Sequence, residues 1–491
     1  MASASTITDP KKTELPSGLG AWMQRVLEEC DRAAAEFAPD PVHDLRVALR
    51  RCRSMADGLI AMDPDNSWKA MKKAGRQLFR SLGELRDVQV MAEWVHRLEN
   101  HDDPAGKTLL DYIAAREIQL KVSAETALKD FDRKQWMRWS RSLPRRAARF
   151  RPGSVIFKHL ALEKWTEAHD LHRRALRNRS QVAFHSLRIG LKKFRYIAEN
   201  FLPQQHVAWK DDLKELQDLL GEVHDLDVLW ATAVRIHAFP DEESRNRWRE
   251  RLTKERQSRI DKYHEKMVGK SSLWPVWRAE LPQGPEIAMA AMSRLRLWAS
   301  ILDPDFKHAE RLSQLALQLY DGLPGKAGAV DGQDERTILR LAALLHDVGR
   351  SEGEKNHHKR GFKLMTRMTP PLSWSQRDLR LSAAVARYHR GALPRTGQKS
   401  LAGLTAVERR MVLRLAGILR LAEAFDADRD GRIGRLEVRE QDGYLQIAAE
   451  GYSLRDPMAE RVAGARHLLE TVYRRPVMVK AMKVPTLRLV G

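Results

Sequence analysis

Residues 42–59 read VHDLRVALRRCRSMADGL, and residues 184–201 read FHSLRIGLKKFRYIAENF. At a constant offset of 142, His43 meets His185, Arg46 meets Arg188, Arg50-Arg51 meet Lys192-Lys193, and Arg53 meets Arg195. In the first stretch Val42, Leu45, Leu49, Cys52, Ala56 and Leu59 recur at three- and four-residue steps, the spacing of one apolar helix stripe. His43, Arg46, Arg50 and Arg53 fall on the opposite face. The second stretch repeats the design, with Phe184, Leu187, Leu191 and Phe194 on the apolar side and His185, Arg188, Lys192 and Arg195 across from them. Downstream, Leu82-Gly83-Glu84-Leu85-Arg86-Asp87 matches Leu220-Gly221-Glu222-Val223-His224-Asp225 at an offset of 138. Two blocks in the same order predict one duplicated helical module over residues 18–280, its halves at about 18–135 and 155–280.

Like charges three or four residues apart cost a helix a few tenths of a kcal/mol per pair. Two ridges of four basic residues therefore call for an anion to offset the repulsion. Arginine offers phosphate a planar fork of donors, and lysine a compact point charge. Lys69, Lys72, Lys73, Arg76 and Arg80 add a further basic ridge after the first copy. Residues 138–195 hold 16 Lys or Arg against Glu163, Glu167 and Asp170, a net +13. The whole chain of 491 residues has 86 Lys and Arg against 65 Asp and Glu, a formal charge of +21. Such a surplus attracts polyanions.

No apolar run reaches 18 residues, so no membrane span is expected. The opening MASASTITDPKKTELP has no apolar core of the kind a secretory signal needs. Cys30 and Cys52 by themselves build neither a disulfide framework nor a zinc site. The expectation is a cytoplasmic protein with an anionic ligand. Nucleic acid is the weakest candidate, because base-stacking aromatics are missing from the basic ridges and Phe184 and Phe194 fall on the apolar stripe.

The pattern H-x-L-R-[VI], continued by paired basic residues and Arg, and then L-G-x-x-x-D, resembles the CHAD family in both copies. The resemblance covers about residues 18–280. It implies pseudo-symmetric helical bundles around a basic channel that binds inorganic polyphosphate, a binding module and not a catalyst. Its implied contacts are His43, Arg46, Arg50, Arg53, His185, Arg188, Lys192 and Arg195, to which Lys72 and Arg76 of the added ridge are joined. Localisation on polyphosphate granules is the corresponding expectation.

Trp274-Pro275, Pro282 and Gly284-Pro285 break the helical pattern near residue 284. Beyond them His308 lies in the first turn of a helix, and His346-Asp347 follow the apolar run Ile338–Leu345. His357-His358 and His389 come next, and Asp426 ends the helix Leu413–Phe425. Imidazoles and carboxylates converging from several helices suit a hydrolytic divalent metal. His308, His346, Asp347 and Asp426 supply them in the order H…HD…D, which resembles the HD phosphohydrolase superfamily.

More narrowly, LAALLHDVGR, NHHKRGFKLM, AAVARYHRGALPR and LRLAEAFDADR resemble the C-terminal HD-type domain of exopolyphosphatases and guanosine pentaphosphate phosphohydrolases, over about residues 286–430. The resemblance implies a divalent ion (Mn, Mg or Fe) on His308, His346, Asp347 and Asp426. Lys359, Arg360 and Arg390 would answer phosphoryl charge, and His358 or His389 would act as acid or hold a second ion. His357 reads as a core histidine. The family's actin-like catalytic domain is missing from this sequence, and Arg360 stands where the family often has another histidine. Two outcomes stay open. The HD-like half hydrolyses a phosphoester or phosphoanhydride, of polyphosphate, a guanosine polyphosphate or a nucleotide, or it is a non-enzymatic binding or regulatory domain. In residues 431–491, Arg435–Gln441 and Tyr444–Ala449 flank the turn signal Asp442-Gly443. With a helix over Ala459–Tyr473 they predict a small α+β cap on a mainly α chain.

Overall fold

The computed structural model describes residues 18–99, 103–325, 332–395 and 397–482. The opening stretch through Pro16 and most of the Gly322–Gly332 turn lie outside them. The chain divides into two compact units, one ending at Pro282 and the other starting at Gln283. The body is helical, with a three-stranded sheet near the C-terminus. Among the described residues no helix is long and apolar enough to cross a membrane.

The first unit is two rounds of one helical plan. Copy one comprises α1 (Gly18–Ala35), α2 (Pro39–Ile60), α3 (Asn66–Ala74), α4 (Arg76–Leu98), α5 (Pro104–Lys129) and α6 (Arg133–Ala147). Copy two comprises α7 (Val155–Asn178), α8 (Gln181–Phe201), α9 (Pro203–Arg235), α10 (Glu242–Met267) and α11 (Leu273–Ala279). The pairs correspond: α1 packs on α2 as α7 packs on α8, and α4 on α5 as α9 on α10. Both apolar stripes point inward, with Leu45, Leu49, Cys52, Leu187 and Phe194 all buried. Copy one breaks at Gly75 between α3 and α4, where copy two runs through as the single long α9.

The copies meet through α2 and α8. Gly58 of α2 sits against the Phe201 ring of α8, where a Cβ would collide with the ring (Cζ at 2.8 Å). Alongside, Arg51 pairs with Glu199, and Asn200 donates to Ser54 Oγ at 3.1 Å.

The second unit comprises α12 (Pro285–Leu302), α13 (Phe306–Gly322), α14 (Glu335–Leu344), α15 (His357–Arg367), α16 (Gln376–Arg387) and α17 (Ala406–Phe425). It continues with β1 (Leu436–Gln441), β2 (Tyr444–Ala449), α18 (Pro457–Ala465), α19 (His467–Tyr473) and β3 (Val477–Ala481). Capping boxes at Ser375/Asp378 and Thr405/Glu408 start α16 and α17, each satisfying two otherwise orphaned backbone donors. β1 and β2 form the antiparallel hairpin read from Asp442-Gly443, with Gly443 at φ +84°. The stretch Ala459–Tyr473 is two helices broken at Arg466. It leads into β3, which pairs parallel to β2. Leu436, Leu445, Ile447 and Val477 join the apolar core of α13–α17, so sheet and bundle share one interior.

Candidate anion-binding face and candidate metal centre

In the first unit the two basic ridges converge. α2 lies on α4, α8 on α9, and α4 touches α9. At Gly83 of α4 a Cβ would stand 3.9 Å from Arg46 Nε; at Gly221 of α9 it would stand 4.0 Å from Arg188 Nε. Each second block therefore forms the floor beneath the arginine of its first block, in the same way twice. Arg46, Arg50, Arg188, Lys192 and Arg195 are half-buried. Among the described residues none of the five has a hydrogen-bonded or ion-paired carboxylate, and the Nε atoms of Arg46, Arg188 and Arg195 are buried with no partner.

Electrostatic coupling runs across the two copies. Burial, then Arg188 beside it and Arg50 and Arg46 opposite, push the Lys192 ammonium down to about 8. The acids of the two second blocks face the same cluster. Lost hydration raises Asp87 against the pull of Arg46, Arg188 and Lys192. Burial raises Asp225 to about 6 against the pull of Arg188, with Asp87 adding to the rise. Neither acid stood out in the sequence beyond its place in the repeat.

The remaining ridge residues are arranged differently. Arg53 lies over the Phe79 ring at 5.0 Å and donates to the Lys72 carbonyl at 2.7 Å. Lys72 pairs with Asp57, and Arg76 is exposed. His43 is exposed beside Asp44. His185 faces His224, ring nitrogens 3.3 Å apart, and burial and Arg188 lower His224 to about 4.

In the second unit a buried cluster forms where helix ends meet. His308 lies in the first turn of α13, and His346 and Asp347 follow α14. His357 opens α15, His389 follows α16, and Glu423 and Asp426 close α17. The glycine of HDVG decides the approach of α15: a Cβ on Gly349 would collide with the His357 carbonyl oxygen and lie 2.5 Å from the Gly361 nitrogen. Only glycine lets the two backbones touch there and bring His357 to Asp347.

Three imidazoles share one arrangement. Nδ1 of His346, His357 and His389 bonds the carbonyl of Ala343, Glu354 and Ala386, at 2.7, 2.9 and 2.7 Å. A carbonyl only accepts, so Nδ1 of each ring carries a proton and Nε2 is the nitrogen turned inward. His357 Nε2 is 3.2 Å and His389 Nε2 3.9 Å from Asp347 Oδ1. The two Nε2 atoms are 3.4 Å apart. His346 Nε2 lies 3.4 Å from Asp347 Oδ2 and 3.6 Å from Glu423. His308, His346 and Asp347 form one potential ion-binding group, and Asp347, His357 and His389 another.

Asp426 is turned elsewhere. Its Oδ2 accepts from His308 Nδ1 at 2.7 Å and its Oδ1 pairs with Arg311 at 2.9 Å, while His308 Nε2 donates to Glu423 at 3.1 Å. Burial opposes charge on His308, yet its bonds to Asp426 and Glu423 prevail and raise it to about 9. Asp347 Oδ2 sits by Arg350 Nε at 3.0 Å and Arg429 at 3.3 Å. Despite burial, His346, His389 and Arg350 hold Asp347 far below the usual carboxylate range. Burial keeps His389 neutral, at about 3.

Of the other residues singled out from sequence, Lys359 and Arg390 are exposed, and Arg360 reaches back to the Glu352 carbonyl. His358 stands edge-on to His357 at 5.5 Å, with its buried Nδ1 unpartnered. Burial and Arg387 lower it to about 4. His357, Glu423, Arg350 and Arg429 are the cluster members that the sequence reading missed.

Residues 19–234 match the family model of the CHAD domain, and residues 292–455 match that of the Ppx/GppA phosphatase, domain III. The chain is thus a CHAD domain joined to a domain of the Ppx/GppA phosphatase type. Among solved structures, the CHAD domain from the plant Ricinus communis is similar at 19% identity. The match covers 57% of this chain and 96% of that one, with a TM-score of 0.35. No curated protein matches the chain.

Proposed function

We propose that the first unit binds inorganic polyphosphate and that the second is a metal-dependent phosphohydrolase acting on polyphosphate or a related phosphoanhydride, such as a guanosine polyphosphate or nucleotide. One observation carries the reading: cations from both copies of the repeat face one another half-buried, and among the described residues none of them is hydrogen-bonded or ion-paired to a carboxylate. Cations kept so close repel one another unless an anion lies among them, and a linear chain of phosphates supplies one charge after another along the groove. The two units share a fitting chemistry, since both CHAD and Ppx/GppA domains are linked to phosphate polymers and nucleotide phosphates.

For the second unit, support comes from the inward Nε2 lone pairs around Asp347, a donor set suited to a divalent transition metal. A bound ion would supply Lewis-acid polarisation of a phosphoryl group. The residues of the chain would do the rest. Backbone carbonyls fix the imidazole rings through Nδ1, Arg350 and Arg429 hold the carboxylate of Asp347, and burial excludes water. The same reading places the chain in the cytoplasm on polyphosphate deposits. Holding the polymer in the same chain as the hydrolytic centre raises the local substrate concentration.

The test is competition on the full chain between long-chain polyphosphate and duplex DNA at matched charge, followed by phosphate release. Polyphosphate is expected to bind more tightly, with affinity falling steeply in salt, and Asp347→Ala to stop phosphate release. Tighter binding of DNA would overturn the polyphosphate reading. An unaltered rate in Asp347→Ala would overturn the hydrolase reading.

A further inference from the structure

The four residues in H…HD…D order do not present four free ligand atoms. Both ring nitrogens of His308 already face carboxylates, Asp426 and Glu423. Both oxygens of Asp426 are taken, by His308 and Arg311. Asp347 Oδ2 lies under two guanidiniums, Arg350 and Arg429. Protons and arginines thus already neutralise that side of the cluster.

The other side has the opposite character. Asp347 Oδ1 is buried with no hydrogen-bond partner. His357 Nε2 and His389 Nε2 point at it and at each other, and their protons are committed to backbone carbonyls. In the tautomer that the Nδ1–carbonyl bonds set, three acceptor atoms of buried residues meet here. Such a grouping is costly unless a cation fills it.

The geometry has room for one. A triangle with sides of 3.2, 3.4 and 3.9 Å has a circumscribed radius of about 2.0 Å, the bond length of a first-row ion to imidazole nitrogen or carboxylate oxygen. We infer that a single divalent transition-metal ion is held by Asp347 Oδ1, His357 Nε2 and His389 Nε2, and not by the set His308, His346, Asp347 and Asp426. Three protein ligands leave coordination positions open for a phosphoryl oxygen, as a hydrolytic site needs. Two imidazoles favour Mn(II), Fe(II) or Zn(II) over Mg(II), which prefers oxygen. On this assignment His308 and Asp426, with Arg311, are a positioning group that holds the end of α17 against α13. The inference rests on the phosphohydrolase reading of this unit but assigns its ion to different residues.

The test is metal binding by the full chain, stripped with a chelator and titrated with Co(II) and Mn(II). Stoichiometry is read by elemental analysis after dialysis, and the Co(II) environment by visible absorption. One ion per chain is expected. His357→Gln and His389→Gln should each weaken it by more than the roughly 10–100-fold that loss of an outer partner costs. Asp426→Asn should retain one ion with affinity within about tenfold of wild type and an unchanged Co(II) spectrum. Loss of the ion in a folded Asp426→Asn chain would overturn the assignment, as would retention in His357→Gln or a second ion that Asp426→Asn removes. Either result would leave the hydrolase reading standing if phosphate release persists in wild type. No ion in wild type would overturn both. Because Asp426→Asn alone separates the two sites, the outcome is decisive even if a histidine variant melts.

Discussion

Lys192 shows how a single residue reports on the whole cationic cluster. It is surrounded by Arg188 from its own helix, Arg46 and Arg50 from α2, Asp87 from α4 and the Tyr196 ring at 5.8 Å. Its free-state pKa of about 8 lies below that of an ordinary lysine, and a bound anion would favour the ammonium. Below pH 8 the ammonium is already formed, so binding takes up no proton there. Above pH 8 binding must take one up, and polyphosphate affinity should fall by up to about tenfold per pH unit. Asp225, near 6, works in the same direction at lower pH, because losing its charge on acidification strengthens anion binding. Titration calorimetry from pH 5 to 10 checks both, and Lys192→Arg should flatten the alkaline arm. A flat profile in wild type would remove Lys192 from the binding surface. At this scale the sequence was only partly legible. Adjacent residues on a helix point about 100° apart, so of His357-His358 only one could face the cluster. The spacing did not say which, and Gly349, the residue that seats His357, carries no chemistry of its own.

Among the elements, the duplicated helices were the most legible, since their apolar stripes are periodic and the second copy repeats the first residue by residue. What the repeat could not show is that α2 and α8 face each other and bring two ridges into one cationic cluster. That depends on contacts between residues 143 and 148 positions apart in the chain: Gly58 against Phe201, and Arg51 with Glu199. Glu199→Gln should leave the guanidinium of Arg51 without its partner and destabilise the first unit by about 1.5–3 kcal/mol, read by denaturant unfolding. Polyphosphate affinity should fall along with it, because the two ridges would lose their register. Full stability would mean that this pair does not hold the copies together. The third strand was missed for a different reason. β3 is five residues long and pairs only after two short helices, so no local pattern distinguishes it from a loop.

At the scale of the whole molecule, the charge of +21 indicated a polyanion but not which one. The structure shows where cations without a bonded carboxylate gather, between two copies of one motif. The second unit adds a separate buried cluster of imidazoles and carboxylates, in a domain of the Ppx/GppA phosphatase type. The central claim is that both copies grip the same anionic chain. It is tested most directly by titrating long-chain polyphosphate into wild type, Arg46→Ala, Arg188→Ala and the double variant across a range of salt. The expected result is a loss of roughly tenfold for each single change and about 100-fold or more for both, with a salt slope shallower by about 1.4–1.8 in the double variant and unchanged helix content. Wild-type affinity and slope in the double variant would contradict it.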